Sequence, residues 1–307
     1  MKIAIAGAGD LSHYFYEEFP LHGHETIALT RSPKSFLSAL SIEQRITDYS
    51  VPNLVNNLAD CDAVISTISA PGPDHVTAHL ALLEACKLSP RCKKMIPSEF
   101  AGNVEEEVLR DEPVFMAEGR EPVRRALRAQ TEVKWTLVVN GWFAEYLVPA
   151  GQRHFTDLGG GAWPMDYANK VFTMYGDGKR SVTLTSATDV ARAIARLVEV
   201  DEWEEYTHLS GETVTWYGLY GILKSRNGGW GVVKKSYEDA VREVEEAEMM
   251  GQVARVNAQL LLMGYTDINR ANLDKVKRHK DLYFHGLDFR GIAEIIGGAE
   301  SRPDAVI

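Results

Sequence analysis

Two glycines and two cations near the N-terminus have the types and spacing to hold a phosphorylated ligand. The chain opens KIAIAGAGDLSHYFYEEF from Lys2, which sets Gly7, Gly9 and Ser12 in a G-x-G-x-x-S pattern directly after a short apolar run. Glycine at the first two positions lets the backbone turn tightly and approach a pyrophosphate, which a helix N-terminus attracts. Gly7, Gly9, Asp10 and Leu11 are therefore expected to lie against it. Ser12 is small, where a third glycine is usual. Further on, no Asp or Glu occurs between Ile27 and Ile42, where an acidic side chain would bond the ribose 2′-hydroxyl of NAD. Arg31 and Lys34 stand there instead. A guanidinium and an ammonium suit a 2′-phosphate, so the expected cofactor is NADP(H) rather than NAD(H).

Such glycines carry meaning only between a strand and a helix. Lys2 to Ala6 reads as a buried strand, and Leu11, Tyr14, Phe15 and Phe19 recur at helical spacing until Pro20 and Gly23. Strands are then expected at Glu25–Thr30, Gln44–Thr47, Ala63–Ser66, Lys94–Ile96 and Val133–Val139, with helices through Leu54 and Leu58 and through Val76, Leu80 and Leu83. This alternation gives the expected fold class, α/β, as a Rossmann-type doubly wound parallel sheet. The loops after residues 6, 30, 66, 96 and 139 should meet at one cleft.

After Pro149 the pattern changes, and a smaller α+β substrate domain is expected over residues 151–307, following a cofactor domain over 1–150. A helix from Asp189 to Val200, with Asp189 in its first turn, is expected to return to the sheet. Val171–Met174 and Val182–Leu184 read as a hairpin pair around GDGK, and Asp157 to Lys170 as a loop-rich stretch. Further helices are expected at Thr213–Lys224, Ser236–Met250, Val253–Leu262 and Phe289–Ile296. Trp163, Trp216, Trp230, Met249, Met250 and Met263 suit packing or a bulky pocket. Met263 to Asp274 reads as a mobile loop and candidate lid.

The totals exclude several functions. With 43 acidic against 33 basic residues in 307, and no basic tail, nucleic acid is not an expected partner. The three scattered cysteines, Cys61, Cys86 and Cys92, suit a reducing compartment and no metal. No apolar run approaches the roughly 18 residues of a membrane span. A strand from residue 2 makes a signal peptide unexpected, so a cytoplasmic monomer or homodimer without membrane contact is expected. His75 and His79 have metal spacing but lack a third ligand, and read as a surface pair. Glu243 to Glu248 reads as a solvated acidic face. Tyr167 and Lys170 could reach a ligand, though solvation is the simpler reading. Tyr175–Lys179 and Tyr220–Lys224 match Tyr-x-x-x-Lys only formally.

The stretches MIPSEFAGN (Met95 to Asn103), VISTIS (Val64 to Ser69), Glu121 to Pro149 and Val171 to Ile194 together resemble the NmrA-like family. The resemblance is greatest to its isoflavone reductase and phenylcoumaran benzylic ether reductase branch, which are atypical short-chain dehydrogenases. It implies NADPH as cofactor, with Pro97, Ser98, Glu99 and Phe100 at the reactive end. It places Thr67, Ile68 and Ser69 beneath the adenosine and phosphates, and Gly141, Trp142 and Phe143 facing nicotinamide and substrate. The residue-level alternative for PSEF is a helix start capped by Ser98.

One departure bears on mechanism. The reductases' catalytic lysine falls on Arg120, before the helix read at Glu121–Arg128, and no lysine occurs between Lys94 and Lys134. A guanidinium keeps its proton, so Arg120 can orient a substrate or stabilise negative charge but cannot serve as a base. The expected function is an NADP(H)-dependent oxidoreductase acting on a bulky apolar small molecule of secondary metabolism. Two alternatives stay open: redox-neutral isomerisation or cyclisation with NADP(H) bound, and a non-catalytic dinucleotide sensor.

Overall fold

The computed structural model describes the chain except for residues 71, 104, 106–116, 159–161 and 228, so part of the loop-rich stretch after Asp157 lies outside the described residues. The first half alternates strands and helices: β1 (Lys2–Ala6), α1 (Asp10–Leu21), β2 (Glu25–Thr30), α2 (Ser35–Ala39), β3 (Glu43–Ile46), α3 (Val51–Asn57), β4 (Ala63–Ser66), α4 (Pro73–Leu88), β5 (Lys94–Ile96), α5 (Ala117–Arg128) and β6 (Lys134–Trp135). All six strands pair in parallel in the order β3-β2-β1-β4-β5-β6. This is the doubly wound Rossmann order, with its switch point between β1 and β4. The central strands are buried along nearly their whole length, which is why they read as continuous apolar runs.

The single strand expected over Val133–Val139 is split at Thr136. β6 pairs with β5, whereas β7 (Leu137–Val139) pairs in parallel with Tyr206–His208. β5 is three residues long and ends at Pro97, which has no N–H to extend a ladder. Thr136 Oγ1 lies 2.8 Å from Thr207 Oγ1 at the break.

The expected hairpin does not form. Val171–Tyr175 pairs with Gly231–Lys235 and Met165–Asp166, while Ser181–Thr185 pairs with Glu212–Thr215 and Trp142–Phe143. Gly176 and Gly178 both adopt positive φ in the turn between them, and the strands leave it into two different sheets. Glu212–Thr215 is itself a strand, as its β-branched residues favour, so the helix expected from Thr213 spans Trp216–Asn227. The last helix lies at Ile292–Ser301 rather than Phe289–Ile296, and Leu273–Tyr283 is a helix where none was expected.

Helix Ala187–Leu197 packs on α1, with Asp189 in its first turn, accepting from Arg290 N at 2.8 Å. Met263 to Asp274 is no open lid: Ile268, Asn269 and Ala271 are buried, and Asn103 N donates to Ile268 O. Met249 and Met250, expected above to pack or to line a pocket, are exposed, whereas the tryptophans 163, 216 and 230 are buried. No described helix is long and apolar enough to cross a membrane.

Candidate active site

A cleft of about 670 Å³ opens along the carboxyl ends of the parallel strands. The loops after residues 6, 30, 66, 96 and 139 all reach it, as the strand order requires. At its centre the β1–α1 turn presents Gly7, Gly9, Asp10 and Leu11. Gly7 has φ +120°, and a Cβ there would stand 2.7 Å from Thr67 Oγ1, so only glycine lets this turn pack against the loop after β4. Gly9 caps α1, and nothing lies within 4 Å of where its Cβ would be. That open space over a helix N-terminus fits a pyrophosphate. Ser12 is fully buried behind the turn, its Oγ donating to Gly9 O, which explains how serine serves at the third position.

At one end of the cleft, Arg31 and Lys34 line the wall with exposed side chains, and neither forms an ion pair among the described residues. The Arg31 guanidinium lies 5.9 Å from the Tyr49 ring centroid. Tyr49 is anchored by its hydroxyl donating to Leu29 O at 2.9 Å. Thr67, Ile68 and Ser69 form the floor beside the glycines.

At the other end, Ser98, Phe100, Arg120 and Phe143 line the cleft, whereas Pro97, Glu99, Gly141 and Trp142 are not among its lining residues. No helix starts at Ser98. Gly141 has φ +67° and touches the Thr183 backbone, where a Cβ would collide at 2.2 Å from its carbonyl oxygen, so only glycine fits there. Trp142 rests on Trp163 and Tyr146. Glu99 is fully buried and accepts from Arg124 Nε at 3.2 Å and Nη2 at 2.9 Å. Arg120 lies inside α5, not before it, one turn from Arg124, and its Nη1 reaches Glu99 Oε2 at 3.5 Å. Burial alone would raise the Glu99 carboxyl, but the two guanidiniums outweigh it and hold it below the usual carboxylate range. Glu99 is thus a buried anion that fixes two arginines, one of which faces the cleft.

His75 and His79 are not a surface pair. Both are buried in α4, with ring centroids 3.9 Å apart. His79 Nδ1 lies 2.7 Å from the His75 carbonyl, which can only accept, so Nδ1 carries the proton. Nε2 then accepts from Ser98 N at 3.2 Å, tying the loop after β5 to α4. Burial pushes His79 down to about 4; burial, His79 and the Arg120 charge push His75 down to about 3. Both rings are held neutral.

No family model matches the chain. Over 310 residues, spanning all of both chains, it is 36% identical to the oxidoreductase swnR of Metarhizium robertsii. It is 25% identical over 210 residues to isoflavone reductase homolog P3 of Arabidopsis thaliana, covering 64% of each. The chain belongs to the NmrA-like, isoflavone reductase-like family of oxidoreductases. The structure of the leucoanthocyanidin reductase–NADPH complex from Vitis vinifera shares the fold, with TM-score 0.72 and 18% identity over 97% of this chain and 99% of that one.

This isoflavone reductase-like chain closes its cleft with residues that sequence reasoning did not single out. Tyr146, Phe155, Thr156 and Leu158 line it from the segment after β7. Thr156 donates to Asp10 Oδ2 from both its amide (2.8 Å) and its hydroxyl (3.0 Å), fastening that segment to the first turn of α1. A spacing pattern carries no signal for such a contact, because it joins residues 146 positions apart. Tyr175 and Tyr220, the formal Tyr-x-x-x-Lys tyrosines, do not line the cleft.

Proposed function

We propose that this member of the isoflavone reductase-like family is an NADP(H)-dependent reductase of a bulky, largely apolar small molecule. The observation that carries the reading is the polarity of one continuous cleft: Arg31 and Lys34, which form no ion pair among the described residues, at one end, and Arg120 among aromatic rings at the other. The NADPH complex of leucoanthocyanidin reductase, with the same fold, supports it.

In this reading Arg31 and Lys34 grip the 2′-phosphate, and Tyr49 braces Arg31. The bare backbone at Gly9 receives the pyrophosphate at the N-terminus of α1. Thr67 to Ser69 run beneath the nucleotide. Bound NADPH would supply a hydride from nicotinamide C4 to an electron-poor carbon, and a proton from solvent would complete the reduced product. Phe100, Phe143, Tyr146 and Phe155 exclude water and orient the substrate over that end. Arg120, aimed by Glu99, stabilises negative charge that develops on the substrate; it does not move a proton.

The test is NADPH oxidation by the purified protein against a panel of conjugated and imine substrates, with product analysis. Cofactor consumption matched by reduced product supports the reading. Product formed with no net cofactor consumption overturns it in favour of redox-neutral chemistry.

A further inference from the structure

His13 and Glu17 stand four residues apart on α1 and so share one face of it. His154 reaches that face from the segment after β7. One ring nitrogen of each histidine and one carboxylate oxygen of Glu17 all lie within 4.8 Å of one another. Among the described residues, no other set of three histidine, cysteine, aspartate or glutamate side chains converges in this way. None of the three lines the cofactor cleft. The elements that carry them do, through Asp10 on α1 and through Phe155 and Thr156 on the later segment.

Both imidazoles are held in place by the fold. The His13 ring is stacked between Phe36, at 3.8 Å between centroids, and His154, at 4.5 Å. The His154 amide donates to Tyr14 OH at 3.1 Å, and the Tyr14 ring meets the imidazole edge-on at 4.9 Å. Two residues on, Thr156 is tied to Asp10. His154 Nε2 donates to Glu17 Oε1 at 2.9 Å. The His13 ring is different: it is half-buried, yet it forms no hydrogen bond or ion pair among the described residues. Burial and the neighbouring His154 push it below its usual range, which leaves a nitrogen lone pair free at neutral pH.

The donor types select the ligand. Two imidazoles and one carboxylate suit zinc, whereas magnesium and calcium take oxygen donors. Zinc bonds of about 2.0–2.2 Å put neighbouring donors of a tetrahedral site about 3.3 Å apart. The Glu17–His154 pair is already as close as that, and the Glu17 side chain, 41% exposed, is free to turn toward His13. Its exposure also leaves the fourth position open to water.

We propose that His13, Glu17 and His154 form a zinc site, with water as the fourth ligand, that clasps the segment carrying Phe155 and Thr156 onto α1. The ion takes the place of the proton on His154 Nε2, which passes to Nδ1. The site is structural and is independent of the reaction assigned to the cleft.

Isothermal titration calorimetry with zinc chloride on the untagged full chain, first stripped with a chelator, tests the assignment. One saturable zinc ion per chain is expected at micromolar concentration, undisplaced by millimolar magnesium chloride. Zinc should also raise the melting temperature, since it binds the folded chain. Glu17→Gln and His13→Gln should each weaken zinc at least tenfold and reduce that rise. Glu17→Gln keeps an acceptor for His154, so its metal-free protein should melt with the wild type. This separates a lost ligand from a damaged fold. The absence of saturable heat, displacement by magnesium, or a zinc affinity unaltered in the Glu17→Gln and His13→Gln proteins would overturn the assignment.

Discussion

His79 accepts the Ser98 amide at 3.2 Å, so a side chain buried in α4 sets the position of the loop that brings Ser98 and Phe100 to the cleft wall. Replacing His79 by leucine leaves that amide without an acceptor, at a cost of about 1–3 kcal/mol. Glutamine offers both a donor for the His75 carbonyl and an acceptor for Ser98. The leucine variant should melt earlier and lose kcat/KM, and the glutamine variant should recover both. Thermal melts with steady-state kinetics decide it; a leucine protein that matches wild type in both removes His79 from the argument.

The same pair makes stability depend on pH. Both imidazoles are neutral in the fold, with His79 at about 4 and His75 at about 3, against 6.5 when unfolded. The unfolded chain therefore takes up protons first as pH falls below 6.5, and stability declines in acid by about 1 kcal/mol per pH unit for each ring. Denaturant unfolding at pH 7 and pH 5 should show the loss, and His79→Gln should reduce it by one proton's worth. An identical pH dependence in the two proteins would contradict the neutral assignment.

Glu99 accepts two hydrogen bonds from Arg124 and one, longer, from Arg120. Removing one partner of a buried pair strands a charge, so Arg124→Met should cost about 3–5 kcal/mol. The Glu99 carboxyl lies below its unfolded value of 4.5, so its contribution is complete above that pH and fades as pH drops through the folded value. Arg120→Met keeps the Glu99–Arg124 contacts. It should lower kcat far more than it weakens NADPH, as fluorescence titration beside turnover assays would show; an unchanged kcat excludes Arg120 from the chemistry.

Arg31 and Lys34 line the cleft without ion-pair partners among the described residues. Changing both to alanine should cost NADPH about 2–4 kcal/mol in binding, thirtyfold or more, from charge-assisted contacts worth about 1.5–3 kcal/mol each. NADH should be nearly unaffected. Equal losses for the two cofactors, measured by calorimetry, would reject a 2′-phosphate contact.

The amino-acid sequence determined what depends on neighbours along the chain. The run of Lys2–Ala6 into Gly7 and Gly9, and then into an amphipathic helix, fixed β1, the turn and α1. Short apolar strands separated by helical spacing made the parallel sheet legible, and with it the meeting of five loops. Arg31 and Lys34 were legible because they directly follow β2. What only the tertiary structure decided are contacts between distant segments. Thr136 breaks a strand because its continuation finds Tyr206–His208. Val171–Tyr175 and Ser181–Thr185 prefer partners far along the chain to each other. The two histidines at i and i+4 look like a solvated pair until the loop after β5 covers them. Periodicity reports which face of an element is apolar, but not which element will cover it, and a buried polar bond is specified only by the two surfaces that meet to form it.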